Sequence, residues 1–166
     1  MYSRISHSIR NRETPNNIFI TPPALAKTNI DMISCKETDI WLDPFKNSGN
    51  YFNQFPTEKK DWCEILDGKD FFEYDKPVDI ICSNPPYSMM NAVLEKSVKL
   101  NPRVISYLIG VGNLTSKRIE DMEKNGYKIV KLHLCKVYKW YGMSFIVVWE
   151  KTEQNGILSY DRTTWK

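Results

Sequence analysis

The 166-residue sequence contains no run of eighteen apolar residues and no charged-then-apolar leader. A helical membrane span and a secretory signal are therefore not expected, and the chain reads as soluble and intracellular. Its four cysteines, Cys35, Cys63, Cys82 and Cys135, form no C-x-x-C pair, and no histidine stands at zinc-ligand spacing from them. No metal site is expected on that ground, and the thiols read as reduced and buried. No G-x-G-x-x-G follows the first strand-like run, so a dinucleotide-dependent oxidoreductase would lack its phosphate-binding turn. Internal repeats and low-complexity blocks are absent as well.

What is there is an ordinary globular composition, 42% apolar and 26% charged, with a length that fits one domain. The net charge of +3 permits a polyanionic partner without requiring one. Aromatic residues make up 13% of the chain; they can fill a core or stack on a flat ligand, and composition does not separate the two.

The chain divides into three stretches. Residues 1–17 are polar, with Arg4, Arg10 and Arg12, and read as a flexible basic arm. Residues 18–150 carry the periodic segments of a domain, and residues 151–166 form a short tail. Thr21-Pro22-Pro23 opens a helix with Thr21 as its expected N-cap, and Leu25, Ala26, Ile30 and Ile33 share one face. Strands are expected at 39–42, 61–65, 78–82 and 104–109. A helix capped by Ser88 carries Met90, Val93, Leu94 and Val98, and a second begins at Thr115 or Ser116 and ends at Asn125-Gly126. Residues 128–137 and 144–149 form a C-terminal antiparallel hairpin. Alternating strands and helices imply an α/β fold, a mostly parallel twisted sheet of six or seven strands with helices on both faces. In such sheets ligands sit beyond the carboxyl ends of the strands. Three polar clusters, at 43–50, 64–70 and 83–88, fall there together.

The last of these is the most informative. Asn84-Pro85-Pro86-Tyr87 directly follows a buried strand. Paired prolines fix φ and cannot extend a ladder, and Asn84 is pushed to extended geometry by the proline after it. The product is a stiff loop presenting an amide at one end and a phenol ring at the other. It suits a planar amino-bearing group, with the Asn84 side-chain oxygen and the Pro85 carbonyl accepting its hydrogens and Tyr87 stacking on its face.

In this position the tetrapeptide resembles the N-P-P-Y motif of S-adenosylmethionine-dependent amino-methyltransferases, above all the adenine-N6 DNA methyltransferases. Asp43-Pro44-Phe45-Lys46-Asn47-Ser48-Gly49 resembles that family's D-P-F-x-G-x-G cofactor loop, with Asn47 where a glycine is usual. Asparagine tolerates the left-handed region better than other non-glycine residues. The resemblance implies a Rossmann-like methyltransferase fold and S-adenosylmethionine as cofactor. It places Asp43 and Phe45 at the methionine part, Glu64 on the ribose hydroxyls, and Asp70 and Phe71 at the adenine. Phe19-Ile20-Thr21-Pro22 resembles the family's F-x-T-P segment, in which the threonine and the helix start hold the cofactor carboxylate. Trp140-Tyr141-Gly142 reads first as a hairpin turn and also resembles the aromatic segment near a flipped target base.

The implied activity is methyl transfer to an exocyclic amino group, N6 of adenine in DNA first. RNA adenine or a protein glutamine amide is the alternative within the enzyme class, and a degenerate methyltransferase-like scaffold the alternative outside it. The implied partner is nucleic acid, DNA ahead of RNA, with Arg4, Arg10, Arg12, Lys136 and Lys139 as candidate backbone contacts. No target-recognition domain is visible, so a homodimer or a separate specificity subunit is expected to help. Only 41 positions separate Asp43 from Asn84 (84 − 43), which leaves room for at most a short helix between them.

Overall fold

The computed structural model describes residues 19–137 and 142–162. The N-terminal arm, Lys139, Trp140 and Tyr141 lie outside the described residues. Three α-helices and six strands appear among those described: α1 (Pro23–Asp31), β1 (Trp41–Asp43), β2 (Lys60–Trp62), β3 (Ile80–Ser83), α2 (Met90–Leu100), β4 (Val104–Gly110), α3 (Ser116–Lys124), β5 (Tyr127–Cys135) and β6 (Ser144–Lys151). The strands form one sheet in the order β2-β1-β3-β4-β6-β5. The β2-β1-β3-β4 ladder is parallel, and β6 runs antiparallel to both β4 and β5. This is the expected mostly parallel α/β sheet with an antiparallel C-terminal hairpin.

The pleat sorts the apolar residues into two layers, because successive side chains on a strand point to opposite faces. Leu42, Ile81, Ile105, Tyr107, Val147 and Trp149 face α2 and α3, which contribute Met90, Val93, Leu94, Ile119 and Met122. Trp41, Ile80, Cys82, Val104, Leu108 and Ile146 face α1, which contributes Ala26 and Ile30. Central β4 is buried at all seven positions, as a strand covered on both faces must be. β1 and β2 are joined by a loop carrying only the single turn Phe52–Gln54, and β2 and β3 by the turns Ile65–Asp67 and Phe71–Glu73. The compressed spacing between Asp43 and Asn84 is thus met by 3₁₀ turns in place of helices.

Several local expectations shift. β2 ends at Trp62, because Glu64 turns out of the ladder to cap the next turn, its carboxylate accepting from the Leu66 amide. α1 has Pro22 as N-cap and no side-chain cap, so Thr21 does not cap it. α2 starts after a 3₁₀ turn at Tyr87–Met89, with Met89 as N-cap and no capping side chain, which removes Ser88 from that role. Thr115 does cap α3, accepting from the Arg118 amide. Of the cysteines, Cys63 and Cys82 are buried, while Cys35 is exposed and Cys135 partly so. Burial pushes the Cys63 thiol up to about 12 and raises Cys82 as well, so neither forms a thiolate nucleophile near neutral pH.

The segment after β6 is docked, not loose. The Ile157 amide donates to the Ile129 carbonyl of β5, and Leu158 and Tyr160 pack on the core. The Tyr160 hydroxyl donates to Glu123 of α3 at 3.0 Å. Gly156 permits this approach, since a Cβ there would stand 3.3 Å from the Ile129 carbonyl oxygen. No helix among the described residues is long and apolar enough to cross a membrane.

Candidate active site

The carboxyl ends of β1, β2 and β3 open onto one cavity of about 550 Å³, within the usual range of small-molecule sites, roughly 300–1,000 Å³. Its wall brings together residues far apart in sequence: Thr21 before α1, Pro44, Phe45 and Ser48 after β1, Glu64, Asp70 and Phe71 after β2, and Asn84 and Pro86 after β3. Nine of the thirteen expected site residues therefore share one cavity, at the point where β1 is flanked by β2 on one side and β3 on the other. A sheet of this kind places its ligand crevice there.

The other four are arranged differently. Asp43 was expected to face a ligand; its side chain is instead fully buried and is not part of the wall. Its carboxyl accepts from the Ser83 hydroxyl at 2.6 Å and from the amides of Phe45 (3.3 Å) and Phe52 (3.2 Å). It ties the end of β1 to the end of β3 and shapes the loop between them. Burial pushes its pKa up to about 7, more than those hydrogen bonds pull it down. Gly49 lies behind the wall at φ +84°, and a Cβ there would come within 2.9 Å of the Asn53 amide nitrogen. Pro85 is buried. Tyr87 is half-buried against the core and outside the wall, between Pro86 and Met89, which are both in it.

Two loops are held by the acids that the sequence singled out. Asn47 sits at φ +45°, so the position where the resembled loop carries glycine does adopt the left-handed conformation. Its amide donates to Glu64 Oε2 at 2.9 Å, while Glu64 Oε1 accepts from Leu66. A carboxylate has about four acceptor positions, so Glu64 retains capacity toward the cavity. Asp70 uses Oδ1 to accept from the Phe72 amide at 2.8 Å and is left in the same condition. Phe45 meets Phe71 edge-on, with ring centroids 5.3 Å apart, giving an apolar side to the pocket.

The sequence reading missed several participants. Asn50 donates to the Thr21 carbonyl at 2.8 Å, joining the β1 loop to the start of α1. Tyr51 is buried against the cavity, and its hydroxyl accepts from Asn29 at 3.1 Å. Ser106 of β4 donates to the Asn29 side-chain oxygen in turn. Ile65 and Leu66, 68% and 79% exposed, and Met89 add an apolar rim. Lys46 and Lys69 each place an ammonium 3.7 Å from the Trp62 ring centroid. Lys46, Asn50, Ile65, Leu66 and Lys69 fall inside the clusters at 43–50 and 64–70, whereas no pattern in the sequence signals Asn29, Tyr51 or Ser106. Among the described residues no cluster of three or more potential ligands could hold a metal ion.

The sheet order, with helices on both faces and a cavity at the carboxyl ends of its parallel strands, is that of a Rossmann-like α/β fold. Solved structures match it over most of the chain. A protein of Pyrococcus horikoshii, named for a proposed RNA methyltransferase activity, superposes with a TM-score of 0.68 at 13% identity, covering 90% of this chain and 97% of its own. The magnesium protoporphyrin IX methyltransferase of Synechocystis, crystallised with bound S-adenosylmethionine, gives 0.61 at 10% identity, covering 91% of each chain. A modification subunit of a proposed type I restriction enzyme of Vibrio vulnificus gives 0.56 at 12% identity, covering 90% of this chain and 48% of its own. No protein-family model and no curated protein matches the sequence.

Proposed function

We propose that this chain is an S-adenosylmethionine-dependent methyltransferase acting on an exocyclic amino nitrogen, with N6 of adenine in DNA as its target. The observation that carries the reading is the shared cavity: Asn84 and Pro86 line the same pocket as Glu64, Asp70 and Phe71. An amino-group acceptor thus shares its cavity with groups suited to a nucleoside. Glu64 retains acceptor capacity for a ribose diol, Asp70 for an adenine amino group, and the Phe45–Phe71 pair offers an apolar face to a ring. Thr21, just before α1, brings a buried hydroxyl to the same cavity, a group able to donate to a carboxylate.

When bound, S-adenosylmethionine supplies an electrophilic methyl group on a sulfonium. The chain supplies placement. The Asn84 side-chain oxygen and the Pro85 carbonyl accept the two amino hydrogens, drawing the nitrogen's lone pair out of the ring and toward the methyl. The stiff proline pair holds that geometry without reorganisation, so the contribution is positional and electrostatic. Tyr87, one residue beyond the wall, closes on the face of the target ring. A base in a duplex must be flipped out to reach this pocket. A second copy or a separate specificity subunit would add surface for reading several base pairs to that of the described residues.

A labelled-methyl transfer assay on duplex DNA, single-stranded DNA, RNA and a protein extract tests the reading. Label is expected on adenine N6 of DNA, with binding that weakens steeply as salt rises. Label on RNA adenine or on protein glutamine would move the substrate and keep the chemistry. Cofactor binding without transfer to any of them would overturn it.

A further inference from the structure

Thr21 is almost completely buried, 5% exposed, and the helix it precedes takes no side-chain cap. Its hydroxyl oxygen accepts a hydrogen bond from the Asn84 side-chain nitrogen at 3.1 Å, across 63 residues of sequence. Its carbonyl is fixed from the other side by Asn50. The threonine is therefore clamped between the loop after β1 and the loop after β3, with its side chain on the cavity wall.

That contact bears on a choice every catalytic asparagine must make. The two ends of a primary amide have nearly the same shape, but one donates and the other accepts. Asn84 can receive an amino hydrogen only with its oxygen toward the substrate and its NH₂ turned away. A hydroxyl carries one hydrogen and two lone pairs. If its hydrogen is given to an anionic group in the cavity, the hydroxyl has only lone pairs left for Asn84, and the amide must present its NH₂ to Thr21. If the hydrogen is free, it can also donate to the amide oxygen, and the reverse orientation becomes competitive.

We propose that the Thr21 hydroxyl is a positioning group that selects which end of the Asn84 amide faces the substrate, and that it holds the accepting end outward by giving its own hydrogen to the carboxylate of a cofactor bound in the cavity that Thr21 lines. The proposal rests on the reading of the pocket as an amino-methyltransferase site. The acceptor geometry of Asn84 is present without a ligand, and a bound cofactor carboxylate makes it firmer by removing the hydrogen that could stabilise the reverse orientation.

Thr21→Val keeps the shape and removes the hydroxyl; Thr21→Ser keeps the hydroxyl. The first readout is the Asn84 side-chain NH₂ signal in NMR spectra of the free protein, assigned by its disappearance in Asn84→Ala. It is expected to shift and exchange faster in Thr21→Val and to stay near its native position in Thr21→Ser. The second is turnover at saturating S-adenosylmethionine beside the cofactor dissociation constant. Thr21→Val should lower kcat at saturating cofactor by roughly ten- to hundredfold, the size of one lost buried hydrogen bond, and weaken cofactor binding as well because the hydroxyl also donates to the cofactor; Thr21→Ser should restore both. An unmoved Asn84 signal in Thr21→Val would overturn the proposal. So would a loss confined to cofactor affinity with kcat intact. If the native protein methylates no amino group, the functional reading fails instead, and the NMR comparison still decides whether Thr21 orients Asn84.

Discussion

The two halves of the sheet are built on different plans. β2, β1 and β3 are three, three and four residues long, and their loops carry the cavity. β4, β5 and β6 are seven, nine and eight residues long, and β4 and β6 are buried along most of their length. The short half is held at its open end by side chains bonding to backbone or to each other: Asp43 to Ser83, Glu64 to Asn47, Asn84 to Thr21. The long half is held by ladder hydrogen bonds and apolar burial. Polar pins fix geometry at little net gain in free energy, since the same groups bond to water when unfolded; apolar layers supply stability without specifying a site. The difference suggests that stability and activity separate along the sheet.

The strongest way to break that separation is in the long half. Trp149 on β6 is 1% exposed within the main apolar layer. Trp149→Ala should cost about 3–5 kcal/mol of stability, measured by urea unfolding, while methyl transfer per folded molecule stays near native. Transfer falling in parallel among folded molecules would show the halves are coupled. In the short half the reverse is expected. Asn84→Ala should reduce kcat by roughly 10²–10³-fold, as removal of one preorganised hydrogen-bonding group at a reacting centre does, with cofactor affinity and the unfolding midpoint little changed. Equal losses of cofactor binding and turnover would contradict the role given to Asn84.

A third test uses pH. Asp43 holds its proton in the folded protein up to about pH 7, whereas an ordinary aspartate ionises near 3.8. Between those values the folded state binds more protons than the unfolded one, so Asp43's contribution makes stability fall as pH rises and levels off above about 7. The slope amounts to about 1.4 kcal/mol per pH unit at most. Asp43→Asn should remove this component, read from unfolding midpoints at pH 5, 6, 7 and 8; an unchanged slope would place its origin elsewhere. The smallest effect concerns Asn47. At φ +45° a side chain is strained and glycine is not. Asn47→Gly should be neutral or stabilising by up to about 1 kcal/mol and Asn47→Ala destabilising by a similar amount, with a thermal melt to distinguish them.

The fold was legible because its signals are additive. Runs such as Val104–Gly110 and the helical spacing of Met90, Val93 and Leu94 each declare an element, and their alternation declares the sheet. The loops after the strands were legible as positions, because turn residues cluster there and the sheet brings them to one end. Their internal wiring was not. Thr21 looked like an N-cap because Thr-Pro-Pro is a plausible helix start, yet the helix begins two residues later and the hydroxyl bonds to Asn84 instead. Asp43 was placed at the cofactor by the resemblance of its loop to D-P-F-x-G-x-G, yet it is buried outside the cavity wall and bonded by Ser83, forty positions away. Contacts of that range leave no periodicity, and Asn29, Tyr51 and Ser106 form a buried chain for which no local pattern exists.

The docked C-terminal segment governs how this molecule meets its own kind. Among the described residues β5 is the outer strand on one side of the sheet, and the backbone groups on its free edge would invite another chain to add a strand. The amide of Ile157 occupies the Ile129 carbonyl, interrupting that template partway along, and the opposite border is only the three residues of β2. Among the described residues neither border offers a long, continuous seam for sheet extension.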